Sequence, residues 1–391
     1  MKPRLPLVLV ANARMPSQRA QSLQVAQCAA AYQAAGAATT LLHAARAKTM
    51  ALAPGVSLWG FYGIPEERAS AVEAVPCIDW IDRVPRALQY APARLQEQTF
   101  ARGAARRILA GFQGARVLSR EVETALCLRR AKREQVFLEI HRVPGGKLRR
   151  RWLLEAARGA RGILAISGGV RADLLRLGVL EGQVRVEHDG FDPALFAGLP
   201  GRSEARAALG LKDGVPVVAY TGGLLAWKGA DVLVEAARAL PDVYFVVAGG
   251  MDGDVKRLRA RAGGLANVRL EGFQPPTRVP LYLAAADLGV VPNRAKPAIS
   301  ARYTSPLKVF EAMAAGLPLV ASDVPSLREL LEDGRDALLV PPDDPGALAQ
   351  GIARLAGDAA LRARLGANLA ARAAGHTWDA RAQRILDWME A

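Results

Sequence analysis

The sequence predicts an α/β fold of two doubly wound domains, each a parallel sheet covered by helices on both faces. Three observations carry that expectation. Strand patterns alternate with helical patterns from end to end. The 391 residues exceed one ordinary core and suit two domains, each of roughly 180 residues. Midway, Asp189-Gly190-Phe191-Asp192-Pro193 and then Gly198-Leu199-Pro200-Gly201 interrupt the pattern with turn formers.

In the first half, residues 5–11 read as a strand, 17–35 as a helix stopped by Gly36, and 38–43 as a second strand. Residues 50–130 give no clean period, because proline and glycine break several amphipathic pieces. Order returns with strands at 135–140, 162–166 and 184–187 and helices at 149–158 and 169–177. The second half places strands at 215–221, 243–249, 268–271, 288–291, 317–321 and 337–340. Helices at 230–239, 254–262, 279–285, 306–315 and 326–331 lie between them. Residues 344–372 make one or two further helices, and 376–389 a last amphipathic one.

With 51% apolar residues, each half can bury a core, yet no stretch reaches the ~18 uninterrupted apolar residues of a spanning helix. The apolar run 5–10 is too short for a secretion signal, so the protein is expected in the cytoplasm. Cys28, Cys77 and Cys127 lack metal-ligand spacing and read as inert thiols. The net charge is +15, and residues 102–161 carry most of it: sixteen Lys/Arg against five Glu, or +11. Arginine-biased composition with solvated helix faces is one explanation. A surface for an anionic membrane or a phosphorylated acceptor is the other. Nucleic acid is not expected, since no aromatic residues interleave with the basic ones.

Two loops carry the chemistry. The first, Thr221-Gly222-Gly223-Leu224-Leu225-Ala226-Trp227-Lys228-Gly229, joins a strand to a helix. Its glycine pair admits close approach to backbone, and Lys228 precedes a helix start that favours anions. A plain turn is the competing reading of this loop taken alone. In the second, Ser305 is the expected N-cap, Pro306 the first helical residue and Gly316 the stop. Lys308 then falls in the first turn, where the helix dipole disfavours a cation unless an anion binds there. Glu311 follows on the same face, placed to pair with Lys308 or to accept from ribose hydroxyls. A Walker A signature and a dinucleotide fingerprint are both missing. Asp252 and Asp254 come nearest to a metal-holding acidic pair, but Lys256 and Arg257 sit beside them. The expectation is therefore a diphosphate held by lysines, with no metal and no cofactor.

At these residues the chain resembles the family 4 glycosyltransferases, more narrowly a branch with a Ser-Pro-Leu-Lys helix start. The matching pieces are Glu187-His188-Asp189-Gly190-Phe191-Asp192, 220–229, Ala248-Gly249-Gly250, Leu270-Glu271-Gly272-Phe273, 282–292, 305–318 and 329–340. The first half matches more loosely, through Asn12-Ala13-Arg14-Met15-Pro16, Glu139-Ile140-His141 and Ser167-Gly168-Gly169-Val170. The resemblance implies the GT-B fold, two Rossmann-like domains facing each other across a cleft. Domain bounds are then 1–195, with the helix 374–391 packing back on it, and 196–373.

The implied activity is retaining transfer of a hexose from a nucleoside-diphosphate sugar to an acceptor hydroxyl. By resemblance Lys228, Leu307 and Lys308 meet the diphosphate, Gly222, Gly223, Ser305 and Pro306 complete the donor site, and His141, Lys228 and Lys308 are the catalytic residues. Glu311 binds ribose, Gly249, Gly272 and Phe273 lie near the base, and His141 sits by the donor sugar and acceptor. Two departures stand out: Tyr303 replaces the earlier of the family's paired glutamates, and Gly223 its phosphate-loop arginine. They keep open a catalytically silent binding subunit; a nucleotide-sugar epimerase of the same fold is the other alternative. The basic segment 102–161 would meet an anionic acceptor or the inner membrane face.

Overall fold

Nearly continuous apolar runs, short and rich in Val and Leu, form strands buried on both faces, as parallel sheets require. The computed structural model describes residues 6–391. One unit of the chain runs to His188 and takes up again at Arg381–Ala391; the other is Asp189–Ala380. The division thus falls at His188/Asp189 and Ala380/Arg381, several residues from the 195/196 and 373/374 expected from the family pattern.

The first unit holds β1 (Leu7–Ala11), β2 (Thr39–Ala45), β3 (Ala71–Pro76), β4 (Arg116–Ser119), β5 (Val136–Ile140), β6 (Gly162–Ala165) and β7 (Val184–Val186). They pair in parallel in the order β3-β2-β1-β4-β5-β6-β7. The winding direction reverses between β1 and β4, so their carboxyl ends frame a switch point where such sheets bind ligands.

Two of these strands lie in the region that gave no clean period. β3 is an edge strand in which Ala71, Val72, Ala74 and Pro76 are exposed, so its alternation carries little hydrophobic contrast. β4 has only four residues and opens with a buried arginine. The same region contains a 22-residue helix, Tyr90–Gly111, whose many arginines blur its buried stripe.

The second unit holds β8 (Val217–Thr221), β9 (Tyr244–Ala248), β10 (Val268–Gly272), β11 (Leu288–Val291), β12 (Leu319–Ser322) and β13 (Ala337–Val340). Their order is β10-β9-β8-β11-β12-β13, again parallel, with the reversal between β8 and β11. Alternate residues feed two cores. Val217, Ala219, Val246, Leu319 and Ala321 join the cluster under helix Leu307–Ala315. Val218, Tyr220, Val247, Val290 and Val320 join the opposite one, under Ala230–Arg238 and Pro345–Gly357. The period of two along each strand thus covers the sheet twice.

The last helix, Trp378–Glu390, is part of the first unit from Arg381 onward. Ile385, Leu386 and Met389 are buried, and Trp388 meets Phe137 edge-on at 5.5 Å. Arg381, among the most buried side chains, pairs with Glu139 at 3.2 Å and donates to the His188 carbonyl at 2.8 Å. Removing one member of such a pair leaves an uncompensated charge, so Arg381→Ala should cost about 3–5 kcal/mol of stability. Chemical denaturation measures this; a loss below about 1 kcal/mol would show that the pair is not a structural tie.

Candidate active site

The carboxyl ends of β8, β9 and β10 are stripped of side chains. Gly222 donates to the Ala248 carbonyl at 2.9 Å, and Gly249 to the Gly272 carbonyl at 2.6 Å. Gly249 has φ +129°, and a Cβ there would lie 2.2 Å from the Gly222 carbonyl oxygen, so no side chain fits. Phe273 follows, half-buried. At Gly229 (φ +70°) a Cβ would meet the Pro292 carbonyl oxygen at 1.7 Å, so the two loops of the β8/β11 switch point are in direct contact.

Two lysines converge on this bare backbone. Lys228 closes the 3-10 turn Ala226–Lys228, and its Nζ lies 3.6 Å from where a Cβ on Gly223 would be. Lys308 comes from the other loop, its Nζ 3.9 Å from the corresponding point on Gly222.

The helix carrying Lys308, Leu307–Ala315, differs from expectation at its start. Pro306, not Ser305, occupies the N-cap position, and no side chain caps this helix. Ser305 instead accepts a hydrogen bond from the Asp189 backbone at 2.8 Å, tying the turn run at 189–193 to the helix start. Proline offers no side-chain oxygen, so the cap serine sits one residue out. Val309 N–H donates to the Pro306 carbonyl at 2.9 Å, and the N–H groups of Leu307 and Lys308 lie at the helix start, where an anion is favoured.

Lys308 does not point to solvent. The residue is 8% exposed, its Nζ has no hydrogen-bond partner, and the amine sits 3.4 Å from the centroid of the Tyr220 ring. Tyr220 is fixed in turn by donating to the Gly223 carbonyl at 2.8 Å. Burial first, and the Lys228 amine second, hold the Lys308 pKa well below the usual lysine range, against the opposite pull of Glu311. Burial also lowers Lys228. Glu311 is raised by burial, although Lys308, a 3.4 Å hydrogen bond from Thr221 and Lys228 all oppose it. Each of the three groups is pushed toward its neutral form, and a bound anion would return charge to both amines.

In the first unit, β5 delivers His141. Its Nε2 donates to Glu139 at 2.6 Å, while Arg120 Nη2 approaches Nδ1 at 3.5 Å; this network assigns the tautomer. Burial alone would raise Glu139, but Arg381, His141 and Arg120 overcome it and hold the carboxyl well below its usual range. Desolvation and then Arg120 lower His141 to about 4, against Glu139, so the imidazole is neutral near pH 7. The His141 side chain keeps 30% exposure.

Sequence reasoning missed Arg120 and Glu121, which follow the undetected β4. Arg120 also bonds Gln24 at 2.8 Å, and Glu121, pushed to about 7 by burial, accepts from the Asn12 backbone at 2.9 Å. Once β4 is known, the carboxyl-edge rule points to both. Tyr220 and Thr221 were legible as a strand end and loop start, with no sign of their contacts to Lys308 and Glu311. Tyr303 is half-buried, with the Arg302 guanidinium 5.7 Å from its ring centroid.

Residues 215–358 match the family model described as Glycosyl transferases group 1. A D-inositol 3-phosphate glycosyltransferase of Nocardia farcinica is 33% identical over 199 residues, covering 48% of this chain and 43% of the relative. The chain thus spans about half the length of the curated relatives it matches. Among solved structures, HepE of Anabaena with UDP and glucose superposes with a TM-score of 0.76 at 20% identity, covering 99% of this chain and 100% of that one. Sucrose-phosphate synthase of Thermosynechococcus elongatus gives 0.78 at 23% identity, covering 99% and 98%. These likenesses show the GT-B fold, two parallel-stranded α/β sheets with alternating helices.

Because burial lowers the Lys308 pKa on folding, between the folded and unfolded values the unfolded chain binds a proton that the folded one does not. In that window this group makes stability rise with pH. Lys308→Met should remove that dependence and stabilise the empty protein by about 1 kcal/mol or more, since an unsatisfied buried donor is lost. It should also abolish pyrophosphate binding. Thermal melts with and without pyrophosphate check both; a destabilised variant that still binds would refute the assignment.

Proposed function

We propose, on the premise that residues 215–358 belong to the group 1 glycosyl transferases, that the protein moves a hexose with retention from a nucleoside-diphosphate sugar to an acceptor hydroxyl. The observation that carries this reading is the convergence of Lys228 and Lys308 on the bare Gly222-Gly223 backbone, with the Lys308 amine left unpaired. A diphosphate between them would gain two amines and an uncapped helix N-terminus.

On this reading the bond between the anomeric carbon and the diphosphate oxygen breaks, and its electron pair leaves on the phosphate. Lys228, Lys308 and the N–H groups at Leu307 stabilise that charge in a partly desolvated site. The acceptor hydroxyl attacks from the same face and passes its proton to the leaving phosphate. His141, neutral and oriented by Glu139 and Arg120, hydrogen-bonds the sugar or acceptor rather than serving as an obligate base. Glu311 accepts from the ribose hydroxyls, the strand ends at Gly249 and Gly272-Phe273 receive the base, and no metal takes part. The acceptor is a glycan, a lipid-linked sugar or a small glycoside, and the reaction runs in the cytoplasm. The UDP and glucose in the HepE structure support the donor class.

Tyr303, standing where the family keeps a glutamate, favours one rival: a silent subunit that binds donor without turning it over. A thermal-shift screen of UDP-, GDP- and ADP-sugars identifies the donor, since a binder stabilises by about 2.7 kcal/mol at a hundredfold excess over Kd. Nucleoside diphosphate release, with the product anomer read by NMR, then separates the readings. Transfer with retained configuration is expected. Tight binding without release would establish the silent subunit, and an inverted anomer would overturn the mechanism.

A further inference from the structure

Several of the sixteen cations in residues 102–161 have internal employment. Arg107 pairs with Glu73 at 2.7 Å, Arg116 with Glu390 at 3.4 Å, and Arg149 with Glu123 at 3.1 Å. Arg133 donates to the carbonyls of Phe112 and Ala115, and Arg120 serves the His141 cluster.

One group is different. Lys147, Arg150, Arg151 and Arg158 are exposed, and among the described residues none of them pairs with a carboxylate, although Arg150 Nε donates to the Pro144 carbonyl at 2.9 Å. With Arg129, Leu154 and Glu155 they line an open groove of about 670 Å³. Glu155, its sole acid, is already held by Arg130 at 3.2 Å.

The helix that presents them, Lys147–Ala157, is built against its own stability. Its first turn has no acidic residue, although the dipole favours one there. Lys147 and Arg151 lie four residues apart on one face, so like charges are neighbours there. An external anion relieves both penalties. The stripe is about 16 Å long, at ~1.5 Å per residue, which exceeds a single phosphate. Leu148 lies beside it, 60% exposed, and Leu154 lies within it. Those leucines have no use for a soluble anion, whereas an interface of headgroups and acyl chains takes both kinds of side chain.

We propose that this face of helix Lys147–Ala157, with Arg129 alongside, docks the protein on a bilayer surface rich in anionic phospholipid. The surface is independent of the transfer reaction and uses none of its residues. Cosedimentation of the full chain with vesicles of equal parts phosphatidylglycerol and phosphatidylcholine, against pure phosphatidylcholine, tests it. Binding is expected only to the anionic vesicles and should weaken with added salt. The double reversal Arg150→Glu/Arg151→Glu should lower partitioning about tenfold or more, and Leu148→Gln should lower it at constant charge. All three side chains are solvent-facing, so an unchanged melting temperature shows the variants folded. Equal pelleting with both lipids, undiminished binding by the double variant, or binding to soluble heparin without binding to vesicles would each overturn the proposal.

Discussion

A buried lysine amine with nothing to bond is expensive to keep, and the second unit keeps one. Lys308 Nζ lies over the Tyr220 ring without a hydrogen-bond partner, in a helix whose first turn no side chain caps. A salt bridge would have satisfied the amine, but Glu311 is engaged by Thr221 and is itself pushed toward neutrality. What stabilises the arrangement is the rest of the fold. The helix is anchored by Val309, Phe310 and Met313 in one core, and its start is tied to the interdomain turn run through Ser305. On the proposed reading, a ligand that brings negative charge would meet this unsatisfied electrostatic demand.

Sheet topology explains why the demand sits there. Reversal of winding between β8 and β11 opens the carboxyl edge at the loop holding Gly222, Gly223 and Lys228, and Gly229 lets that loop touch Pro292. The first unit repeats the device between β1 and β4, where Asn12, Arg120 and Glu121 meet. Beside it, burial and Arg120 hold His141 neutral, while a carboxylate that Arg381 of the last helix keeps ionised fixes its tautomer. The C-terminal helix therefore contributes to the chemistry of the first unit as well as to its stability.

Much of this was legible in the sequence, for physical reasons. The Ser-Pro-Leu-Lys start declared itself because a cation in a first turn contradicts helix electrostatics, and that contradiction pointed to an anion. The glycine pair at 222 and 223 announced backbone that can be approached closely, whereas Gly249 and Gly272 were marked only by the family resemblance. The cap itself was misassigned, since Ser305 and Pro306 each suit a helix start and only the fold reveals that Ser305 serves Asp189. Arg120 and Glu121 stayed hidden behind β4, four residues opening with an arginine that local pattern does not mark as strand. Tyr220 looked like any buried strand residue, because a cation over its ring is a tertiary contact with no local signature.

The central claim, that the unpaired Lys308 amine is a phosphate site, has a direct thermodynamic signature. Burial disfavours the charged amine and a bound anion would favour it, so calorimetric titrations in buffers of different ionisation enthalpy, repeated from neutral to alkaline pH, measure the proton uptake that accompanies pyrophosphate binding. The expected result is net proton uptake by the native protein that disappears in Lys308→Met. Binding with no proton uptake, or uptake unchanged by that substitution, would contradict the account.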